Sequence, residues 1–299
     1  MGLALLLATV LGAQEGPAAA PPADDAPSWT FSLTGDYSTI PDADPDLKSK
    51  SAGAALTWTS DTTSIGGAIS GLQASTLPAE FATASDGDGW MGSAFVAWAA
   101  GEFDLDLSVS HAQQTLEGTG RIRADGPPAL AGRDVNVDGE TRSSSVSFGV
   151  AKTFGFDTGG FDTGWVTPHA RIAWNQAESE VSTALVGGGS GLQLNSDASG
   201  GSLAAGVEAG TDLAPWLSVF VDVTGVASSN EAANVFGFGG RAVARPVSAE
   251  EDEGAAWAEL SAGFTIHAPA DVSIGFAAGA SAGREEDDVF GSLTLSKGF

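Results

Sequence analysis

The feature that most constrains this chain is alternation. Leu217, Val219, Val221 and Val223 interleave with Ser218, Phe220, Asp222 and Thr224. Phe103, Leu105, Leu107 and Val109 interleave with Asp104, Asp106, Ser108 and Ser110. Val166, Pro168, Ala170, Ile172 and Trp174 do so with Thr167, His169, Arg171, Ala173 and Asn175, and Val272, Ile274, Phe276 and Ala278 with Ser273, Gly275 and Ala277. A side-chain period of two belongs to strands, whose successive residues point to opposite faces. Each stretch runs about 9–11 residues, the length a tilted strand needs to cross a bilayer. Strands of soluble sheets are usually nearer 5–6 residues.

Strands placed wherever the pattern holds span 29–37, 51–59, 64–73, 90–99, 102–112, 142–153, 165–176, 201–212, 216–226, 255–267, 271–282 and 289–299, twelve in all. The connections between them alternate in length. Those near 60–63, 100–101, 154–164, 213–215 and 268–270 are short. Those at 38–50, 74–89, 113–141, 177–200, 227–254 and 283–288 are mostly long and polar. Short periplasmic turns alternating with longer external loops are the rule for outer-membrane barrels. The expected fold is therefore all-β, a 12-stranded antiparallel transmembrane β-barrel over residues 29–299, with both termini on the short-turn side.

The tryptophans give a second reading of the same topology. Trp29, Trp58, Trp98, Trp165 and Trp216 fall at periplasmic strand ends, and Trp90, Trp174 and Trp257 at external ends. Indole rings favour the membrane interface, where an apolar body and a polar N–H are both accommodated. All eight are expected in an interface girdle.

Composition excludes several classes. With 38 Asp and Glu against 12 Lys and Arg, the formal charge of −26 argues against nucleic acid, whose phosphates need basic clusters. The absence of cysteine removes disulfides, thiolate metal sites and a Cys nucleophile. The 41 glycines disfavour helical bundles, since each interior Gly costs a helix about 1 kcal/mol. No motif points to a cofactor.

The ends carry their own expectations. Leu3 to Leu11 is an unbroken apolar run followed by Gly12 and Ala13, which reads as a secretory signal over residues 1–13, cut after Ala13. The run is too short for a membrane-spanning helix, which needs about 20 residues. Residues 14–28 read as a Pro/Ala-rich linker. An exported chain of this kind is expected in the outer membrane of a Gram-negative cell, with outer-membrane lipid as its surroundings. At the other end Val289, Gly291, Leu293, Leu295 and Phe299 alternate with Ser292, Thr294, Ser296 and Gly298. This resembles the C-terminal assembly signal of bacterial outer-membrane barrels, carried here by Leu293, Leu295 and Phe299, with Lys297 where that signal often has an aromatic residue. The resemblance implies the barrel-assembly machinery as a partner.

Two longer stretches resemble a known family. Trp165 to Trp174 reads WVTPHARIAW, and Gly206 to Asp222 reads GVEAGTDLAPWLSVFVD. Both are similar to the late hairpins of the autotransporter β-domain. The resemblance implies a 12-stranded barrel whose lumen helps a passenger segment reach the outside. Such proteins carry a large passenger and a linker helix, whereas only about fifteen Pro-rich residues separate Ala13 from the first strand here. The expectation is an orphan barrel without passenger, or a passenger encoded upstream of Met1.

The inward set under this register includes Asp36, Asp104, Asp106, His169, Arg171, Glu208, Asp222, Glu259 and His267. These are the candidate lumen-facing residues, lining either a pore for small polar solutes or a salt-bridged plug that fills the interior. Asp42, Asp44 and Asp46, Asp86 and Asp88, Glu250 to Glu253 and Glu285 to Asp288 place carboxylates close enough to be candidate Ca2+ ligands. None matches the EF-hand spacing, and solvated acidic loops are the ordinary reading. Catalytic signals are sparse. The histidines are His111, His169 and His267, and His111 cannot pair with adjacent Ser110 because the two point to opposite faces. The sequence thus reads as a translocator or solute pore of autotransporter type and not an enzyme. The alternatives are a closed structural or adhesive barrel whose loops 113–141 and 227–254 bind partners and, further off, an outer-membrane hydrolase.

Overall fold

The computed structural model describes residues 5–7, 27–40, 47–76, 85–122, 131–156, 164–188, 190–229, 245–247, 255–283 and 288–299. The signal region other than Leu5–Leu7, the linker up to Ala26 and the acidic runs at 42–46, 250–253 and 285–287 lie outside them. Twelve long strands form one antiparallel sheet: β1 Ser28–Ile40, β2 Leu47–Thr59, β3 Thr63–Thr76, β4 Ser85–Ala100, β5 Phe103–Arg121, β6 Asp134–Ala151, β7 Gly164–Leu185, β8 Ser190–Ala214, β9 Leu217–Ser228, β10 Ala255–Ala268, β11 Val272–Ala282 and β12 Val289–Gly298. Each pairs with the next, and β12 pairs with β1 from Val289↔Thr39 to Gly298↔Thr30. Phe299 completes the seam, its N–H donating to the Trp29 carbonyl at 2.8 Å and its carbonyl accepting from the Trp29 N–H at 3.1 Å. The sheet closes on itself, so no edge is left to template another chain.

Three short strands stand apart from this count. Phe154–Phe156 pairs with the start of β7 in the β6–β7 connection. Leu5–Leu7 pairs with Arg245–Val247 as a separate two-stranded sheet. At the foot of β6, the Lys152 Nζ lies 2.5 Å from a Glu102 carboxylate oxygen and above the rings of Phe103 and Phe154.

The pleat sorts the side chains as the alternation requires. Exposed on the outer face are Phe31, Leu33, Leu56, Ile65, Ile69, Leu107, Ile172, Leu203, Val221, Leu260, Phe276 and Leu293, among others. Ser32, Ser51, Ser70, Ser108, Ser147, Thr167, Thr224, Ser273, Thr294 and Ser296 are buried on the inner face. Apolar residues outside and hydroxyls inside suit a barrel immersed in lipid.

The structure departs from the expected spans on the external side. The connections read as 113–141 and 177–200 are largely strand: β5 continues to Arg121, β6 starts at Asp134, β7 continues to Leu185 and β8 starts at Ser190. Polar residues there signal loops, yet the charged ones, among them Glu117, Asp138, Glu140, Glu178 and Glu180, take the outer parity. The inner parity holds Leu116, Val135, Val137 and Val181, all nearly inaccessible, which with Ile122 form one apolar cluster. The β7–β8 turn is made by Gly187 and Gly188 at φ of 97° and 100°, values that side chains with a Cβ rarely adopt.

Two members of the expected tryptophan girdle are corrected. Trp165 and Trp257 are buried on the inner face, and their indole N–H groups donate to Glu208 (3.4 Å) and Glu259 (2.8 Å). They share parity with Thr167 and Glu259, so the pleat turns them from the outside, and a buried indole N–H takes a carboxylate partner. Trp29, Trp58, Trp90, Trp98 and Trp174 take the outward parity, and Trp216 is exposed in the β8–β9 turn.

Candidate functional site: the barrel interior

Most of the ionisable interior groups lie on one wall, from β5 through β10. On β7, Arg171 is buried and its Nη2 donates to both carboxylate oxygens of Asp106 on β5, at 2.8 and 2.7 Å. Its Nη1 donates to Ser147 Oγ on β6 at 2.7 Å, and Ser147 shares a 2.7 Å hydrogen bond with Ser108. Room for this pair comes from Gly149 on the intervening strand. A Cβ there would collide with the Asp106 carboxylate and lie 3.1 Å from Arg171 Nη2.

Two residues along β7, His169 Nε2 lies 2.7 Å from Asp222 Oδ2 on β9. Thr224 Oγ1 donates to the other oxygen of Asp222 at 2.8 Å. Nearer the periplasmic end, Ser218 donates to Asp212 Oδ1 at 2.5 Å and lies 3.2 Å from His267 Nε2. The strand register makes this wall continuous: Glu208 faces Thr167 on one side and Asp222 on the other.

The opposite wall, β11 through β3, is mostly Ser, Thr, Gly and Ala, with Leu72 on β3 and Phe290 on β12 among them. Ser38 meets Ser49 at 3.0 Å, Ser273 meets Ser296 at 2.7 Å, and Asp36 accepts from Ser51 at 2.9 Å. The nine residues expected inside are therefore distributed unequally. Asp106, Arg171, His169, Asp222, Glu208 and His267 belong to one wall. Glu259 is held by Trp257 farther toward the external end, Asp36 stands on the other side, and Asp104 is exposed at the periplasmic mouth. Asp212 and Asp288 are additions to that set. Asp212 shares the parity of Glu208 and lies within reach of the same counting; Asp288, bonded to Ser281 and buried, precedes the last strand in what reads as a loop.

Outside the barrel, His111 does meet a serine, but across strands. The register pairs it with Ser144, and Nδ1 and Oγ are 3.0 Å apart, with Trp90 against the imidazole at 5.7 Å between ring centroids. Among the described residues no carboxylate bonds the far imidazole nitrogen, as a hydrolytic triad needs. Also among the described residues, no group of three His, Cys, Asp or Glu side chains is placed to hold a metal ion.

No protein-family model matches the chain, and no curated protein does. Solved structures match over nearly its full length. The translocator domain of the autotransporter NalP from Neisseria meningitidis superposes with a TM-score of 0.60 at 11% identity, covering 92% of this chain and 89% of that one. The β-domain of the Bordetella autotransporter BrkA gives 0.64 at 13% identity, over 92% and 100%. The transport unit of the autotransporter AIDA-I from Escherichia coli gives 0.52 at 15%, over 96% and 95%. At these identities the likeness is one of fold: the chain has the closed twelve-stranded barrel fold of the autotransporter β-domains.

Proposed function

We propose that the protein is an integral barrel of the Gram-negative outer membrane that acts as a translocator or as a pore for small solutes. The observation that carries this reading is the mismatch between barrel size and lining. An eight-stranded barrel is just filled by its inward side chains, and diameter grows with strand number. Here twelve strands turn mainly Ser, Thr, Gly and Ala inward, with larger groups such as Leu72, Met91, Trp165 and Arg171 interspersed. The small hydroxyl residues present hydrogen-bonding groups to whatever passes. The outer apolar face places the barrel in membrane lipid.

Within the same reading, residues 1–13 direct export and 14–28 link to the barrel. Leu293, Leu295 and Phe299 on the closing strand are recognised by the barrel-assembly machinery. Deleting Phe299 is expected to lower the heat-modifiable, folded fraction in cells more than that of protein refolded in detergent. Catalysis is no part of this reading, because no carboxylate among the described residues orients the His111–Ser144 pair.

The test is conductance of the purified protein in planar bilayers, where discrete channel events are expected. Repeated insertions without current would sink the pore. Arg171→Ala is expected to change ion selectivity; an unchanged value would remove Arg171 from the path. A second reading, a closed barrel whose external face binds partners, is favoured by the extension of β5–β8 beyond the apolar band. It predicts no current and a partner captured by those ribbons.

A further inference from the structure

The charges that share the inward parity set a preference for what the lumen passes. Among the twelve barrel strands, Lys48, Lys50, Arg121, Arg142 and Lys297 all take the outward parity and are exposed. Arg171 is the one inward lysine or arginine of those strands among the described residues, and Asp106 neutralises it through two short hydrogen bonds. Inward carboxylates, by contrast, recur at every depth. Asp104 and Asp212 lie toward the periplasmic end, Glu208 and its cross-strand partner Asp222 near the middle beside His169, and Glu259 with Asp36 toward the external end.

The wall around these carboxylates is hydroxylic, with Ser108, Ser147, Thr167 and Thr224 sharing their inward parity. A hydrated channel walled by low-dielectric protein and lipid focuses the field of its fixed charges. Rings of Asp and Glu are the usual means of favouring cations.

We infer that the lumen conducts small cations in preference to anions, its selectivity set by the carboxylate ladder of β5, β8, β9 and β10. This rests on the reading of the barrel as an open pore. Reversal potentials of the full chain in planar bilayers under a KCl gradient test it. Near 0.1 M, where the Debye length is about 10 Å, potassium is expected to permeate at least about threefold better than chloride. The ratio should fall toward unity near 1 M, where that length is about 3 Å. Glu208→Gln combined with Asp212→Asn lowers the low-salt ratio. Asp36→Asn, on the opposite wall, moves it in the same direction and serves if the double variant loses its heat-modifiable mobility. A ratio at or below one, or one that the folded variants leave unmoved, overturns the inference while leaving the pore intact. Absence of current overturns the pore reading, and this one with it.

Discussion

The strands β5–β8 contain two regions with opposite patterns. In their lower part the outer parity reads Leu105, Leu107, Val109 on β5 and Phe148, Val146 on β6, against inner Asp106, Ser108, Ser147 and Ser145. Above His111 and Ser144 the phase inverts. Gln113, Thr115, Glu117 and, on β6, Arg142, Glu140, Asp138 now face out, while Leu116, Val137, Val135 and Val181 face in and are buried. The backbone register runs through without a bulge from Asp104↔Ala151 to Arg121↔Asp134. Only the surroundings change. Lipid outside and a polar lumen inside give way to water outside and an apolar cluster inside. The outward face goes where the solvent dictates, and the position of the switch marks the upper membrane boundary on β5, β6 and β7.

This comparison can be broken most directly at the upper cluster. Leu116→Ala is expected to cost the ribbons about 2–5 kcal/mol, the range for truncating a buried leucine. Native-state hydrogen exchange is expected to rise in 113–121, 134–142 and 177–185 while the barrel keeps its heat-modifiable mobility. Protection lost equally from β9–β12 would mean the two regions are a single cooperative unit. The lower region is next. Val221→Arg puts a charge on the outer face of β9 and is expected to cost about 2–4 kcal/mol if that site lies near the bilayer midplane. The same substitution at Thr115, on the outer face of the upper ribbon, is expected to leave urea unfolding in vesicles within a few tenths of a kcal/mol. Equal costs at the two positions would erase the boundary.

The two regions also differ in how legible they are in the sequence. Strand number, order and the membrane-spanning cores follow from alternation because lipid imposes one apolar parity over about ten residues. The upper ribbons are hidden for a physical reason. A phase inversion cancels the pattern at the boundary, and the outer residues Glu117, Glu140, Glu178 and Glu180 look like loop composition when the inner Leu116, Val137 and Val181 are counted with them. Inner residues follow from parity alone, as with Asp106 and Arg171. Which of them meet does not, because the partners are separated by 65 residues and depend on register and on the space left by Gly149. Trp165 and Trp257 show the reverse failure: strand-end position points to the girdle, and parity decides against it.

A smaller effect sharpens the lower region. Ser108 and Ser147 are buried and bonded to each other at 2.7 Å, and Ser147 also accepts from Arg171. Ser108→Ala is expected to cost about 0.5–1.5 kcal/mol, the usual net value of such a bond. Its signature is a shift in urea midpoint with unchanged slope, since the exposed surface is the same. A stabilised variant would mean that the inner hydroxyl face is dispensable for folding and is retained for what the lumen contains.

The smallest effect belongs to the ribbon tip, where water surrounds every charge. Arg121 Nε donates to Asp134 Oδ1 at 2.7 Å and Nη2 to Oδ2 at 3.3 Å, and both side chains are more than half exposed. The hydrogen bond from Arg121 holds the Asp134 carboxyl below its ordinary value, with a weaker charge attraction acting the same way. A depressed carboxyl favours the folded tip above its unfolded pKa, and that contribution is lost as pH falls through the folded one. The pair is solvent-screened, so its weight in stability is slight, and the titration itself is the sensitive readout. NMR of the Asp134 side-chain carbonyl is expected to give a midpoint below the ordinary 3.8, and Arg121→Gln should return it there. Salt should do part of the same, because an exposed pair is screened within a Debye length of about 10 Å at 0.1 M. A midpoint insensitive to both would place the tip out of bulk water and move the boundary drawn at His111 and Ser144 outward along the ribbon.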